Sequence, residues 1–140
     1  MRAARRVAWA AAVTIAALGG LPGTATPDRL SLATLEIAGT VTVALDASRF
    51  KQERVATIKI ENKSGFAIEG TIPACSTIFA PKDGRFSPLR PGESGNFLVG
   101  ANKTVLLTRP FRQIDPKKQP PDGTTYVLND ALYPEPGCKD

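Results

Sequence analysis

Val55-Ala56-Thr57-Ile58-Lys59-Ile60-Glu61-Asn62-Lys63-Ser64-Gly65-Phe66-Ala67-Ile68-Glu69-Gly70-Thr71-Ile72 is the stretch on which the fold reading turns. Ala56, Ile58 and Ile60 alternate with Lys59 and Glu61, and Phe66, Ile68, Gly70 and Ile72 alternate with Ala67, Glu69 and Thr71. Period two with β-branched residues reads as a half-buried strand. Two such runs across Asn62-Lys63-Ser64-Gly65, which is turn chemistry, read as a β-hairpin. Pro73 ends the second run.

Working outward, residues 34–45 repeat the pattern. Leu35, Ile37, Val41, Val43 and Leu45 hold the odd positions, with Gly39 marking a bulge or a split. Residues 46–54 are a polar connection with room for one helical turn around Phe50. Downstream, residues 75–80 are a weaker apolar run, and Arg90-Pro91-Gly92-Glu93 is a tight turn. Residues 96–100, 103–108 and 124–128 read as strands, and 109–123 as the one long loop, carrying Pro110, Pro116, Pro120 and Pro121. About seven short strands with frequent turn signals predict an all-β fold, a small antiparallel β-sandwich of immunoglobulin-like type. The buried set expected from this register is Ile37, Val41, Val43, Ile58, Ile60, Phe66, Ile68, Phe97, Val99, Val105 and Leu107.

Residues 1–25 read as a secretory signal peptide. Arg2, Arg5 and Arg6 precede an apolar run shorter than the roughly 20 residues of a membrane-spanning helix, and Gly23 and Ala25 mark a cut. Residues 26–140 are then one β-sandwich domain, placed outside the cytoplasm (secreted or periplasmic), with no transmembrane segment after cleavage. Of 18 Lys+Arg against 13 Asp+Glu, three arginines leave with the signal. The remaining charges are interspersed and the only Trp, Trp9, is also in the signal, which argues against nucleic acid as a partner. The two cysteines, Cys75 and Cys138, read as one disulfide in an exported chain.

Lys59-Ile60-Glu61-Asn62-Lys63-Ser64-Gly65 followed by Leu89-Arg90-Pro91-Gly92-Glu93-Ser94 resembles bacterial extracellular immunoglobulin-like and fibronectin-like modules, over roughly residues 55–100. In those modules a strand ends in an Asn-containing turn and a later Leu-x-Pro-Gly-Glu-Ser turn opens the next strand. The layout also loosely resembles thaumatin-type and actinoporin-like sandwiches. The mature chain departs from true immunoglobulin domains in lacking their buried Trp and their cysteine spacing.

Catalytic chemistry finds little purchase. The chain has no His, which removes the usual general base and the commonest metal ligand. Ser48-Arg49-Phe50-Lys51 and Lys63-Ser64-Gly65 match fragments of penicillin-recognising enzymes, but at a spacing those larger folds do not use. Glu61 and Glu69 would face each other across the hairpin on a solvated face, and Asp83, Asp115, Asp122 and Asp130 lack regular calcium spacing. Asn62-Lys63-Ser64 and Asn102-Lys103-Thr104 fit the N-glycosylation pattern, and turn chemistry accounts for both. The expectation is a non-enzymatic exported binding module with no metal and no cofactor. The alternatives are a secreted protease-type inhibitor presenting a rigid loop, or a lipid-binding sandwich. The loop 109–123 reads either as the contact surface for an acidic protein or polymer, through Arg109, Phe111, Arg112, Ile114, Lys117 and Lys118, or as a packed connection between sheets with Phe111 and Ile114 filling the core edge.

Overall fold

A computed structural model of the chain describes residues 29–122 and 126–129. The expected signal peptide at 1–25 and Cys138 lie outside the described residues.

The chain enters as strand β1, Leu30–Ser31, and turns at once into helix α1, Leu32–Ile37. Residues 34–37, read as strand, are therefore helical. Local capping decides this. The Ser31 side chain accepts the Thr34 amide as N-cap, and the helix stops where Gly39 takes φ 79°. Thr40 N–H then bonds Leu35 O and Gly39 N–H bonds Glu36 O, a Schellman closure. Leu32, Ala33 and Leu35 face the core, and Ile37 is left 83% exposed.

Strand β2, Val41–Asp46, leads through the short helix α2, Phe50–Glu53, to β3, Val55–Asn62. The helical turn expected around Phe50 is present, and it seals Phe50 completely from solvent. β3 alternates as read, with Ala56, Ile58 and Ile60 all buried. The remaining strands are β4, Ile68–Ile72; β5, Phe79–Pro81; β6, Leu89–Pro91; β7, Gly95–Val99; β8, Thr104–Gln113; and β9, Tyr126–Leu128.

These strands do not make a sandwich. Six close into an antiparallel barrel in the order β9-β2-β3-β8-β6-β5, and β1-β4-β7 form a separate three-stranded sheet. Two long strands make closure possible. β3 pairs with β2 along one edge, Val41 opposite Asn62, and with β8 along the other, Ile58 opposite Leu107. β8 outruns β3, and its last residues pair instead with β6, Leu89 opposite Gln113 and Pro91 opposite Phe111. β6, β5 and β9 then carry the curved sheet round until Tyr126 meets Leu45. The expected sandwich is thus replaced by a hydrogen-bonded barrel. No disulfide lies wholly within the described residues. Cys75 is not a free thiol, and its expected partner is Cys138, outside them.

The expected hairpin at 55–72 is also absent, since β3 and β4 lie in different sheets. Asn62 is the reason. Its side chain is 1% exposed and fixes a corner instead of a turn. Nδ2 shares its two N–H groups among Phe66 O at 2.6 Å, Gly100 O at 3.0 Å and Val99 O at 3.3 Å, and Oδ1 accepts Ser64 N–H at 2.8 Å. The chain leaves the barrel there and starts the small sheet, where β4 pairs with β7, Ile68 opposite Val99. Phe66, expected in the core, sits on this corner 69% exposed.

One core fills the barrel and continues under the small sheet and α1. Val41, Ile58, Ile60, Phe97 and Val99 are buried as expected, and Val43, Ile68, Val105 and Leu107 pack against them half-buried. Leu32, Leu45, Phe50, Phe79, Leu89, Phe111 and Tyr126 complete it.

Candidate functional site

The residues expected in a loop at 109–123 divide into a strand and an anchored turn. Residues 109–113 are the end of β8. Phe111 is 4% exposed and packs on Phe79, ring centroids 5.9 Å apart, so it belongs to the core and not to a contact surface. Its amide bonds Arg54 O at 3.0 Å, and Pro110 O accepts Gly92 N–H at 2.9 Å.

Residues 114–119 run back along residues 85–88. Ile114 N–H bonds Pro88 O, Ser87 N–H bonds Gln119 O and Gln119 N–H bonds Arg85 O. Ser87 is fully buried, accepts Asp115 N–H on Oγ at 3.0 Å, and accepts the Tyr126 hydroxyl on its carbonyl at 2.7 Å. Burial pushes the Tyr126 phenol well above its ordinary value, so it stays a neutral donor. Asp115 caps the turn, its Oδ1 accepting Lys117 N–H at 3.0 Å and its carbonyl accepting Lys118 N–H. Lys117 and Lys118 project from a fixed support, both exposed, and Ile114 is half-buried beside it.

Arg112 is exposed and lies directly opposite Arg90 across the β8–β6 ladder. Arg109 falls on the other side of the strand, exposed, with its guanidinium turned back to Thr108 O at 3.0 Å. One more cation joins from elsewhere. Arg54, in the left-handed conformation with φ 59°, stacks on the Phe50 ring at 5.2 Å and donates to Gln113 Oε1 at 3.1 Å. Gln113 Nε2 in turn donates to Lys118 O at 3.3 Å. The end of β8 is therefore a ridge flanked on both sides by cations: Arg54, Arg90, Arg109, Arg112, Lys117 and Lys118. Ion pairs among the described residues include Arg29–Glu69, Arg49–Glu53, Lys63–Glu61 and Arg85–Asp83, and Arg90 Nη1 donates to Pro91 O at 3.3 Å. Arg54 and Arg90 escape a reading of 109–123 because only strand pairing brings them there.

The other expected groups are dispersed. Glu61 and Glu69 sit in different sheets, engaged by Lys63 and Arg29. Ser64 and Lys51 lie on separate elements, the Asn62 corner and α2. Arg85 holds the Asp83 carboxyl down to about 2. Among the described residues no group of three or more His, Cys, Asp or Glu could hold a metal ion, and no helix is long and apolar enough to cross a membrane. A shallow groove of about 310 Å³ lies at the end of β4 and β7, lined by Thr71, Pro73, Ser94, Gly95 and Asn96. Ser94 Oγ there is already engaged by the Ala74 amide.

No family model matches the chain, and no curated protein or solved structure matches it, so nothing identifies an immunoglobulin-like or fibronectin-like module.

Proposed function

We propose that the protein is an exported, non-enzymatic binding module whose working surface is the cationic ridge at the end of β8. Its partner is acidic. The observation that carries this reading is the gathering of six cations from four segments onto one rigidly supported place. Arg109, Arg112, Lys117 and Lys118 are exposed there. The support costs little on binding, because the turn at 114–119 is already bonded to residues 85–88. Export rests on the expected signal at residues 1–25.

Replacing Arg112, Lys117 and Lys118 together with Ala tests the reading. All three are exposed, so stability should stay within about 0.5 kcal/mol per site. Capture of acidic partners from solution should weaken and lose much of its salt dependence. Capture equal to that of the unchanged protein would place the working surface elsewhere.

A further inference from the structure

Barrel closure removes sheet edges, so the edges among the described residues belong to the small sheet β1-β4-β7. The two are unequal. β1 has only Leu30 and Ser31 to offer. β7 runs over Gly95–Val99 and pairs with β4 along its whole length, from Ile72 opposite Gly95 to Ile68 opposite Val99. Its other side carries a row of backbone N–H and C=O groups with no strand beside them. Among the described residues, the bond that reaches this backbone from outside the ladder is at its far end, from Asn62 Nδ2 to Val99 O.

Edge strands are ordinarily blunted by lysine, proline, a bulge or a covering segment. Gly95-Asn96-Phe97-Leu98-Val99 has neither charge nor proline, and its register with β4 is unbroken. Phe97 and Val99 are buried under the sheet, while Asn96 is exposed and Leu98 is 62% exposed.

The charges at the two ends of β7 decide what such an edge accepts. Glu93 precedes the strand and Lys103 follows it, both exposed. Among the described residues neither side chain takes part in an ion pair or hydrogen bond. Lys103 folds back on the end of the strand. Its amide bonds Gly100 O at 3.0 Å, and its Cγ lies 3.2 Å from where a Cβ on Gly100 would stand. β7 is therefore an uncharged strand with a lone acid at its entry and a lone base at its exit. A second copy laid parallel would set like charge against like. Laid antiparallel about Phe97, it sets Asn96 opposite Leu98, Gly95 opposite Val99 and Ser94 opposite Gly100. The last of these brings Glu93, beside Ser94, to Lys103, beside Gly100, at both ends of the contact. The two Leu98 side chains become diagonal neighbours on the outer face, about 7–8 Å apart and within reach of each other.

We propose that two copies of this chain pair through β7, edge to edge and antiparallel, about a two-fold axis at Phe97. The two small sheets become one continuous sheet, and the pairing closes on itself. Addition of β7 to β1 of a further copy would instead run on into a filament, and β1 has too few residues to compete. None of the six ridge cations takes part. The contact is small by the standard of permanent dimers, so the dimer is reversible and forms at high concentration.

Sedimentation equilibrium of the full chain over a concentration series tests this. The expected result is a monomer–dimer equilibrium with a dissociation constant below about 1 mM and no larger species. Glu93→Lys and Lys103→Glu each turn both end contacts from attraction to repulsion, and each should weaken dimerisation about tenfold. Mixed in equal amounts, the two variants bring unlike charges together again at both ends. The hybrid dimer should then form about as tightly as the unchanged one, a recovery that damage to the fold would not show. Amide hydrogen exchange along residues 95–99 of the unchanged chain should slow as the dimer forms. A chain still monomeric at about 1 mM would overturn the proposal and leave β7 open to a strand of another protein. Assemblies larger than a dimer, variants that dimerise like the unchanged chain, no recovery on mixing, or exchange along 95–99 that ignores concentration would overturn it as well.

Discussion

Asn62 shows how one buried amide sets a topology. The sequence Asn62-Lys63-Ser64-Gly65 carries the residues of a tight turn, and a turn would have folded β4 back on β3. The Asn62 side chain instead points inward, and three carbonyls from two other segments converge on its Nδ2. The backbone around it is tied in as well, Asn62 N–H to Lys103 O, Lys63 N–H to Thr40 O, and Asn102 N–H to Ser64 O. This arrangement was not legible in the sequence, because the acceptors Val99 O and Gly100 O lie almost forty positions away. It also removes Asn62 from reach as a glycan acceptor, since its amide is buried and fully used. Asn62→Ala leaves several buried polar groups without partners, each at a cost of about 1–3 kcal/mol. The expected loss of stability is at least about 2 kcal/mol, measured by denaturant unfolding. A loss below about 0.5 kcal/mol would show that the corner stands without its amide.

At the scale of elements, strands that alternate were readable, while the end of β8 and the short β5 and β6 were not. β2, β3 and β7 appear in the sequence close to where they lie, because each alternates over five residues or more. β5 and β6 have three residues each, too few for a period to show, yet they help close the barrel, while β9, equally short, falls within the strand read at 124–128. The helix α1 was hidden for another reason. Leu35, Ile37, Val41, Val43 and Leu45 share odd positions, so a strand period runs through a helix and a Schellman turn by coincidence of spacing. Ser31 and Gly39 were the signals that bracket the helix. Gly70 tests the small sheet. A Cβ there would stand 2.5 Å from the Phe97 ring and 2.9 Å from Leu30 O, so β1, β4 and β7 meet over a position that has no side chain. Gly70→Ala should destabilise by about 1–3 kcal/mol, as overpacking of a filled core does. Gly84→Ala, with nothing within 4 Å, is the control and should stay within about 0.5 kcal/mol.

At the scale of the molecule, the barrel explains why the ridge exists. Only closure through β6 brings Arg90 beside Arg112, and only the path from α2 into β3 brings Arg54 to Gln113. The sequence marked Arg109, Arg112, Lys117 and Lys118 by their local excess of charge, and four of the six cations were found that way. It left Phe111 open between contact surface and core edge, because burial of that ring is decided by its packing on Phe79. The exposed apolar residues Leu30, Phe66 and Leu98 lie on the small sheet and the Asn62 corner, at the opposite end of the β3–β8 ladder from residues 109–113, and so define a competing surface. Amide chemical-shift mapping during a titration with short dextran sulfate chains distinguishes the two surfaces directly. The account predicts shifts confined to Arg54, Arg90 and the non-proline residues of 109–113 and 115–118, with the amides of β4 and β7 unmoved. Shifts centred on Phe66, Leu98 and Leu30, with the end of β8 silent, would contradict it.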